Sequence, residues 1–297
     1  MEALEALKKT IAVTEELQSL VKTMKVLAGV NIRQYERAAH AVAEYNRTIE
    51  MGLQIALRSL PEHALPPRRA PGRKLGAIIF GSDQGMCGQL NDVVVSHASR
   101  ALAKLAFRRE DQVILAVGQR AAMQLESRGQ TIEDTLEVPG STAGIVSTVH
   151  DVLVRIEDWH SRRGIAMVVL FYCRPYSGAS YRPRGIRLLP VDLEWIHSLK
   201  ARPWPSRMVP MYTMDTERLF HSLIREYLFV SLYRAFAESL ASENASRLAS
   251  MQLAERNIEE RLKNLAGEFR QSRQSAISSE LLDIVSAFEA LERKERY

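Results

Sequence analysis

Cysteine is almost missing from this 297-residue sequence, with Cys87 and Cys173 the only two. Two thiols build neither a disulfide framework nor a four-thiolate zinc site, so a reducing compartment is the simpler expectation. Long apolar runs are missing too. No window approaches ~18 uninterrupted apolar residues. The opening Met1-Glu2-Ala3-Leu4-Glu5 carries acid where a signal or transit peptide would carry base. The expectation is a chain that neither spans a membrane nor is exported, so that any membrane association comes through a partner. Nor is charge of one sign concentrated. The net charge of +5 is small and dispersed, which argues against nucleic acid and favours at most an acidic protein surface. Apolar residues at 46% and charged ones at 25% describe a folded chain.

Proline and glycine are scarce at both ends. The first sixty residues hold no proline and only Gly29 and Gly52. Their apolar positions recur at helical spacing, through Leu4, Leu7, Ile11, Leu17, Leu20, Val21, Met24, Leu27, Ala28 and Ile32. One long helix over 1–60 is predicted, stopped by Pro61 and followed by an exposed Pro/Arg-rich linker, Leu65 to Arg73. After Pro210 there is again no proline, and Gly267 is the sole glycine. Steps of three and four join Ile258, Leu262, Leu265 and Phe269, then Ile277, Leu281, Ile284, Phe288 and Leu291. A second helix over 210–297 is predicted. Helices of this length stay folded by pairing, so the two ends are expected to form a long antiparallel coiled coil.

Between them the period changes. Leu75 to Phe80 reads as a buried strand with a Gly-rich turn after it, and a helix is expected from about Asp92 to Phe107. Gln112 to Val117 is a second strand. Ile145, Val146, Val149, Val152, Leu153, Ile156 and Trp159 mark an amphipathic helix capped by Ser141. Ala166 to Tyr172 is a third strand, and another lies near Ile186 to Val191 before Arg202-Pro203-Trp204-Pro205 breaks the chain. The alternation implies a small, partly parallel, Rossmann-like α/β domain over 74–205, inserted between the helices. Near its end the second helix is apolar over a wide arc, at Leu281, Leu282, Ile284, Val285, Ala287, Phe288, Ala290 and Leu291. One companion helix cannot bury such an arc, so a sleeve made by other chains is expected; the alternative is a local three-helix bundle.

Motifs with catalytic overtones fit poorly. Gly81, Gly85 and Gly88 lie between strand and helix, but the spacing is not Gly-x-Gly-x-x-Gly and no Lys-Ser/Thr follows, so a tight turn is expected rather than a phosphate cradle. Cys87 has no His or resolving Cys near it in sequence and reads as a small buried residue. The histidines His40, His63, His97, His150, His160, His197 and His221 show no metal-ligand spacing. Gly140-Ser141-Thr142-Ala143-Gly144 has Thr at its centre, so a helix cap fits better than an esterase elbow. Taken alone, Arg273, Gln274, Ser278 and Glu280 read as a solvated polar face. No catalytic residue, cofactor or metal is assigned.

Three segments carry a resemblance. Lys22-Thr23-Met24-Lys25-Val26-Leu27-Ala28 resembles a Lys-Ala-Met-Lys-Met-Val-Ala run, and Ser82-Asp83-Gln84-Gly85-Met86-Cys87-Gly88-Gln89-Leu90-Asn91 a Ser-Asp-Arg-Gly-Leu-Cys-Gly-Gly-Leu-Asn run. The third is Ser242-Glu243-Asn244-Ala245-Ser246-Arg247-Leu248 with Met251, continued by Ser272 to Val285. All three resemble runs of the gamma subunit of F-type rotary ATP synthases, in the same order, so the resemblance covers the whole chain. It implies a non-catalytic central shaft turning inside a ring of alpha and beta subunits, with the epsilon subunit and the membrane c-ring as further partners and no nucleotide bound. It implies beta-subunit catch contacts at Arg273, Gln274, Ser278, Glu280, Lys22, Met24 and Lys25, and sleeve contacts at Leu281, Ile284, Val285, Phe288 and Leu291. It also implies a foot loop toward the ring and epsilon at Gly85, Cys87, Gly88 and Asn91, and a place on the cytoplasmic face of a bacterial inner membrane. Departures are visible: the arginine-rich opening is reduced to Lys8-Lys9, and Gln84, Gln89 and Asn31 replace an Arg, a Gly and a Lys. They point to a divergent branch, such as the sodium-associated type. The rival reading is a stand-alone enzyme built on the α/β domain, with helical arms for dimerisation.

Overall fold

The computed structural model describes residues 2–60, 74–105, 107–177 and 180–295, with side chains from 4 to 286 apart from that of 177. The predicted linker from Leu65 to Arg73 lies outside the described residues. Among the described residues twelve elements follow one another: α1 (Glu2–Ser59), β1 (Lys74–Phe80), α2 (Leu90–Lys104), a 3-10 turn (Arg109–Asp111), β2 (Gln112–Val117), α3 (Gln119–Ser127) and β3 (Asp134–Leu136). Then come α4 (Thr142–Arg163), β4 (Ile165–Ser177), β5 (Ser180–Leu189), α5 (Leu193–Ala201) and α6 (Thr216–Glu295). By its contacts the chain divides into two compact units, one of residues 1–27 with 250–297 and one of residues 28–249.

In the first unit α1 and α6 pair antiparallel. The half-buried positions of α1 are Leu4, Leu7, Ile11, Thr14, Gln18, Val21 and Lys25, with Met24 beside them; the half-buried or buried positions of α6 include Glu255, Ile258, Leu262, Leu265, Phe269, Ser272 and Ala276. Both series alternate steps of three and four, the signature of a heptad seam. The Lys25 ammonium of α1 meets the Glu255 carboxylate of α6 at 2.5 Å. This corrects the expected seam in part. Leu17, Leu20 and Leu27 are about half exposed or more and lie off it, while polar Thr14, Gln18 and Lys25 lie on it. The later apolar stripe of α6 is also out of step: Ile277 and Ile284 fall one residue past the seam positions, and Leu281 two.

The second unit is built on a five-stranded sheet of order β3-β2-β1-β4-β5. β1 runs parallel to β2 and β4, β2 runs parallel to β3, and β5 closes antiparallel on β4. The alternation of side chains along β1 feeds two cores. Ile78 and Phe80 join one face with Val149, Trp159, Leu170 and Tyr172, and this face also takes Tyr35 of α1 and Leu232, Phe236 and Leu240 of α6. Leu75, Ala77 and Ile79 join the other, under α2 and α3. Phe80 meets Phe236 edge to face at 4.7 Å, an arrangement favoured by the ring quadrupoles. Gly76 is required here, because a Cβ would come within 2.5 Å of the Trp159 ring. A third cluster joins Leu53, Leu57, Val191, Ile196, Phe220 and Val230.

The strand and helix expectations are met with shifted ends. The helix expected from Asp92 to Phe107 spans Leu90–Lys104, because Leu105 turns to extended backbone and its N–H caps on the Leu102 carbonyl. β4 runs to Ser177 rather than Tyr172, since β5 pairs with it along its length. β5 spans Ser180–Leu189 rather than Ile186 to Val191. Ser141 caps α4 through the Gly144 N–H, and Gly164 ends it at φ 63°. Four elements go beyond the sequence expectations: the 3-10 turn, α3, β3 and α5.

Candidate interaction surfaces

The segment that follows β1 is a self-bracing turn. Asn91 accepts the Ser82 N–H at 2.9 Å and returns a hydrogen bond from its own amide to Ser82 Oγ at 2.8 Å. Ser82 Oγ lies 3.3 Å from Cys87 Sγ. The two oxygens of Asp83 accept from the backbone N–H groups of Gln119 and Val138, at 2.9 and 2.7 Å, tying the turn to the starts of two neighbouring segments. Gly118, at φ 103°, passes so close that a Cβ would sit 2.7 Å from the Ser82 backbone. The turn is therefore held by its own polar side chains and leaves no open cradle. Among the four residues assigned to this loop, Cys87 and Asn91 are buried inside it, Gly85 is half-buried and Gly88 is exposed.

Helix α6 is stitched to the same region. Ser246 donates to the Cys87 carbonyl at 2.6 Å, and Ser242, one turn earlier, donates to the Cys173 carbonyl at 2.9 Å. Two of the three resembling segments thus meet in space, a role that sequence reasoning does not assign to Ser242 or Ser246. Burial pushes the Cys173 thiol up to about 12, so it stays protonated and unreactive. Beside Ser246 lies the pair Arg247 and Glu243, joined at 2.6 Å with both side chains nearly inaccessible. Burial raises the Glu243 carboxyl pKa, and the Arg247 charge opposes that rise. Glu243 Oε2 and Arg247 Nε have no hydrogen-bond partner. The periodicity could have flagged this stretch, since its small and polar residues Ser239, Ser242, Glu243, Asn244 and Ser246 are all buried.

In the first unit, Lys22 is exposed, Met24 is half-buried and Lys25 is engaged by Glu255. Arg273, Gln274, Ser278 and Glu280 are all exposed on α6. Gln274 and Ser278 line a shallow polar groove along α6 with Gln271, Ser275, Ser279 and Leu282. Past Ala276 every described side chain is exposed: Leu281 at 59%, Ile284 at 65% and Val285 at 53%. The side chains of Phe288 and Leu291 lie outside the described residues. Among the described residues, no three His, Cys, Asp or Glu side chains gather as a metal site, and no helix is long and apolar enough to cross a membrane. His97 packs edge-on against Phe171, and burial lowers its pKa.

The family model described as ATP synthase matches residues 3–291. The ATP synthase gamma chain of Thermobifida fusca is 25% identical over 291 residues, covering 96% of this chain and 95% of that one. The gamma chain of a Cyanothece species is 27% identical, with 98% and 100% covered. Among solved structures, a chain of the Euglena gracilis mitochondrial ATP synthase, in an assembly of OSCP, F1 and c-ring, superposes with a TM-score of 0.65 at 16% identity, covering 100% of this chain and 97% of that one. A chain of the Tetrahymena thermophila central stalk and c-ring gives 0.55 at 18% identity, with 79% and 99% covered. These matches do not favour a stand-alone enzyme. With nearly its whole length matched, the chain belongs to the ATP synthase family, as a non-catalytic central-stalk member of gamma type.

Proposed function

We propose that this chain is the rotating shaft that couples ion flow through a membrane ring to ATP synthesis or hydrolysis at a ring of alpha and beta subunits. The observation that carries the reading is the mismatch between the seam and the helix. Among the described residues the half-buried positions of α6 end at Ala276, yet α6 continues to Glu295 with Ile277, Leu281, Leu282, Ile284 and Val285 about half exposed or more. Apolar side chains spread over that much of a helix are stabilised when several neighbours surround them. A sleeve of alternating alpha and beta subunits supplies such neighbours. The relatives are named ATP synthase gamma chain, and two of the similar structures are drawn from assemblies that include a c-ring.

On this reading Arg273 and Gln274, with Ser278, Glu280, Lys22, Met24 and Lys25, contact catch loops of the beta subunits. Arg offers a rigid fork of donors for carboxylates or carbonyls. Leu281, Ile284, Val285, Phe288 and Leu291 meet the sleeve, and the turn at Gly85, Cys87, Gly88 and Asn91 faces the membrane ring and epsilon. Since Cys87 and Asn91 are buried, their part is to hold the turn whose exposed backbone makes the contact. Functionally the chain divides into helices over 1–60 and 210–297 and a foot over 74–205, with the complex on the cytoplasmic face of a bacterial inner membrane. A shaft shifts the populations of catalytic sites only through contacts that differ between their states, and linkage makes the effect reciprocal.

The test is the double substitution Arg273→Ala/Gln274→Ala in the assembled complex. It is expected to assemble normally and to lose ion-driven ATP synthesis by about tenfold, the equivalent of ~1.4 kcal/mol of coupling. Wild-type synthesis rates in the double variant would remove these residues from the mechanism.

A further inference from the structure

Folding gathers charge that the sequence spreads out. Arg174 of β4 stands directly opposite Arg182 of β5, and Arg184, two residues on, stands opposite Tyr172. Side chains two apart on a strand share a face, so all three arginines lie on the face that carries Tyr172 and receives α6. Arg234 of α6 joins them there. Glu238, one turn further on, meets Arg234 at 2.8 Å and Arg174 at 3.5 Å through the same oxygen, Oε1. Burial pushes the Tyr172 hydroxyl pKa up to about 12, and the charges of Arg184 and Arg234 act on it in the opposite sense. Four guanidiniums thus share one carboxylate. Among the described residues neither Arg182 nor Arg184 has a carboxylate within 4.0 Å. Like charges set directly opposite one another across two strands oppose folding, so the cluster weakens the chain that carries it.

We infer that Arg174, Arg182, Arg184 and Arg234 form a docking surface for an acidic segment of another polypeptide, one that presents two or more carboxylates. Edge protection accounts for the cluster only in part. β5 is an outer strand of the sheet, and its arginines and Pro183 discourage pairing with a foreign strand. Arg174, however, lies on the inner neighbour β4 and Arg234 on a helix, where no edge needs guarding. The guanidiniums are also held in place. Arg182 lies over the Tyr176 ring at 3.6 Å, a contact that covers one flat side and leaves the N–H donors in the plane of the group available. Glu238 holds Arg174 and Arg234, and with its own side chain 7% exposed it stays below the surface on which Arg182 and Arg184 are exposed. A fixed fork of donors suits carboxylates presented by a folded partner. Attraction to a lipid surface needs only net charge and no such fixing. Charge complementarity therefore selects the occupant, a segment whose carboxylates supply what Glu238 alone does not. None of these arginines is among the contacts proposed above, and the docking surface stands whether or not the chain rotates.

The test measures binding of a fluorescent octaglutamate peptide to the full-length chain by anisotropy at low salt. Arg182→Gln/Arg184→Gln should keep the wild-type circular dichroism and bind the peptide at least about tenfold more weakly, as expected when charge-assisted pairs are removed. Arg108→Gln/Arg109→Gln removes the same charge from two other exposed positions and should stay within about twofold of wild type. Similar losses in the two double variants would overturn the docking surface, because net charge alone would then explain the binding. Wild-type affinity in Arg182→Gln/Arg184→Gln would overturn it as well. Vesicles of phosphatidylcholine with about 30% phosphatidylserine supply the second arm. The wild-type chain and Arg182→Gln/Arg184→Gln should sediment with them to the same extent. A drop in the variant would assign the cluster to a lipid surface and overturn the acidic segment as its occupant.

Discussion

Two stretches of one helix make an instructive pair. Between Val230 and Ser246 nearly every side chain of α6 is buried, polar ones included, because the sheet and α1 surround it. Between Ile277 and Val285 of the same helix, side chains as apolar as those are about half exposed or more. Helical propensity does not separate them. What separates them is whether this chain itself supplies the neighbours: the first stretch is an internal structural part, and the second is the exposed apolar surface for which the sleeve is proposed.

The sharpest way to break that contrast is to cut into the buried stretch. Phe236→Ala removes a ring packed against Phe80 and should lower the unfolding free energy by about 3–5 kcal/mol in a denaturant titration followed by circular dichroism. Replacing Gly118 with Ala forces a Cβ into the Ser82 backbone at positive φ, and a loss of about 1–3 kcal/mol should appear in the same titration. Ser246→Ala strands the Cys87 carbonyl; its expected cost is about 1–3 kcal/mol, and hydrogen exchange should show faster opening of the 82–91 turn. A pH titration sharpens the comparison further. The Glu243 pKa is raised above its ordinary 4.5 by burial, so the folded chain holds that proton more tightly than the unfolded one. Stability from this group is present below 4.5 and is lost as pH climbs through the elevated folded value. Glu243→Gln should flatten that part of the stability curve; an unchanged slope would show that the carboxyl stays ionised throughout. The smallest effect belongs to the other stretch. Leu281→Ala/Ile284→Ala in the isolated chain should shift stability by no more than about 0.5 kcal/mol per site, whereas in the assembled complex the same pair should weaken retention of the chain on the catalytic ring in a pull-down.

Much of this is legible in residue order. The dearth of proline and glycine over 1–60 and after Pro210 leaves little but long helices, and the period change at Leu75 marks the inserted sheet. β2 is legible to its residue limits, because five apolar residues follow Gln112 and stop at Gly118. Short elements escape: β3 has three residues and α5 nine, too few for a period to declare itself. The candidate contacts at Arg273, Gln274, Ser278 and Glu280 come from resemblance, since a polar helix face looks the same whether water or a partner covers it.

The amino-acid order by itself determined that this chain forms two long helices around a small α/β insert, because periodicity and helix breakers act locally and need no third dimension. It also determined family membership through three spaced runs. Only the tertiary structure decided which stripe of α1 becomes the seam, choosing Gln18 and Lys25 over Leu17, Leu20 and Leu27. It alone brought Ser246 to the Cys87 carbonyl across 159 positions of chain. The physical reason is common to both: a helix with several apolar stripes has no preferred inside until a partner surface buries one of them, and that surface lies far away in sequence.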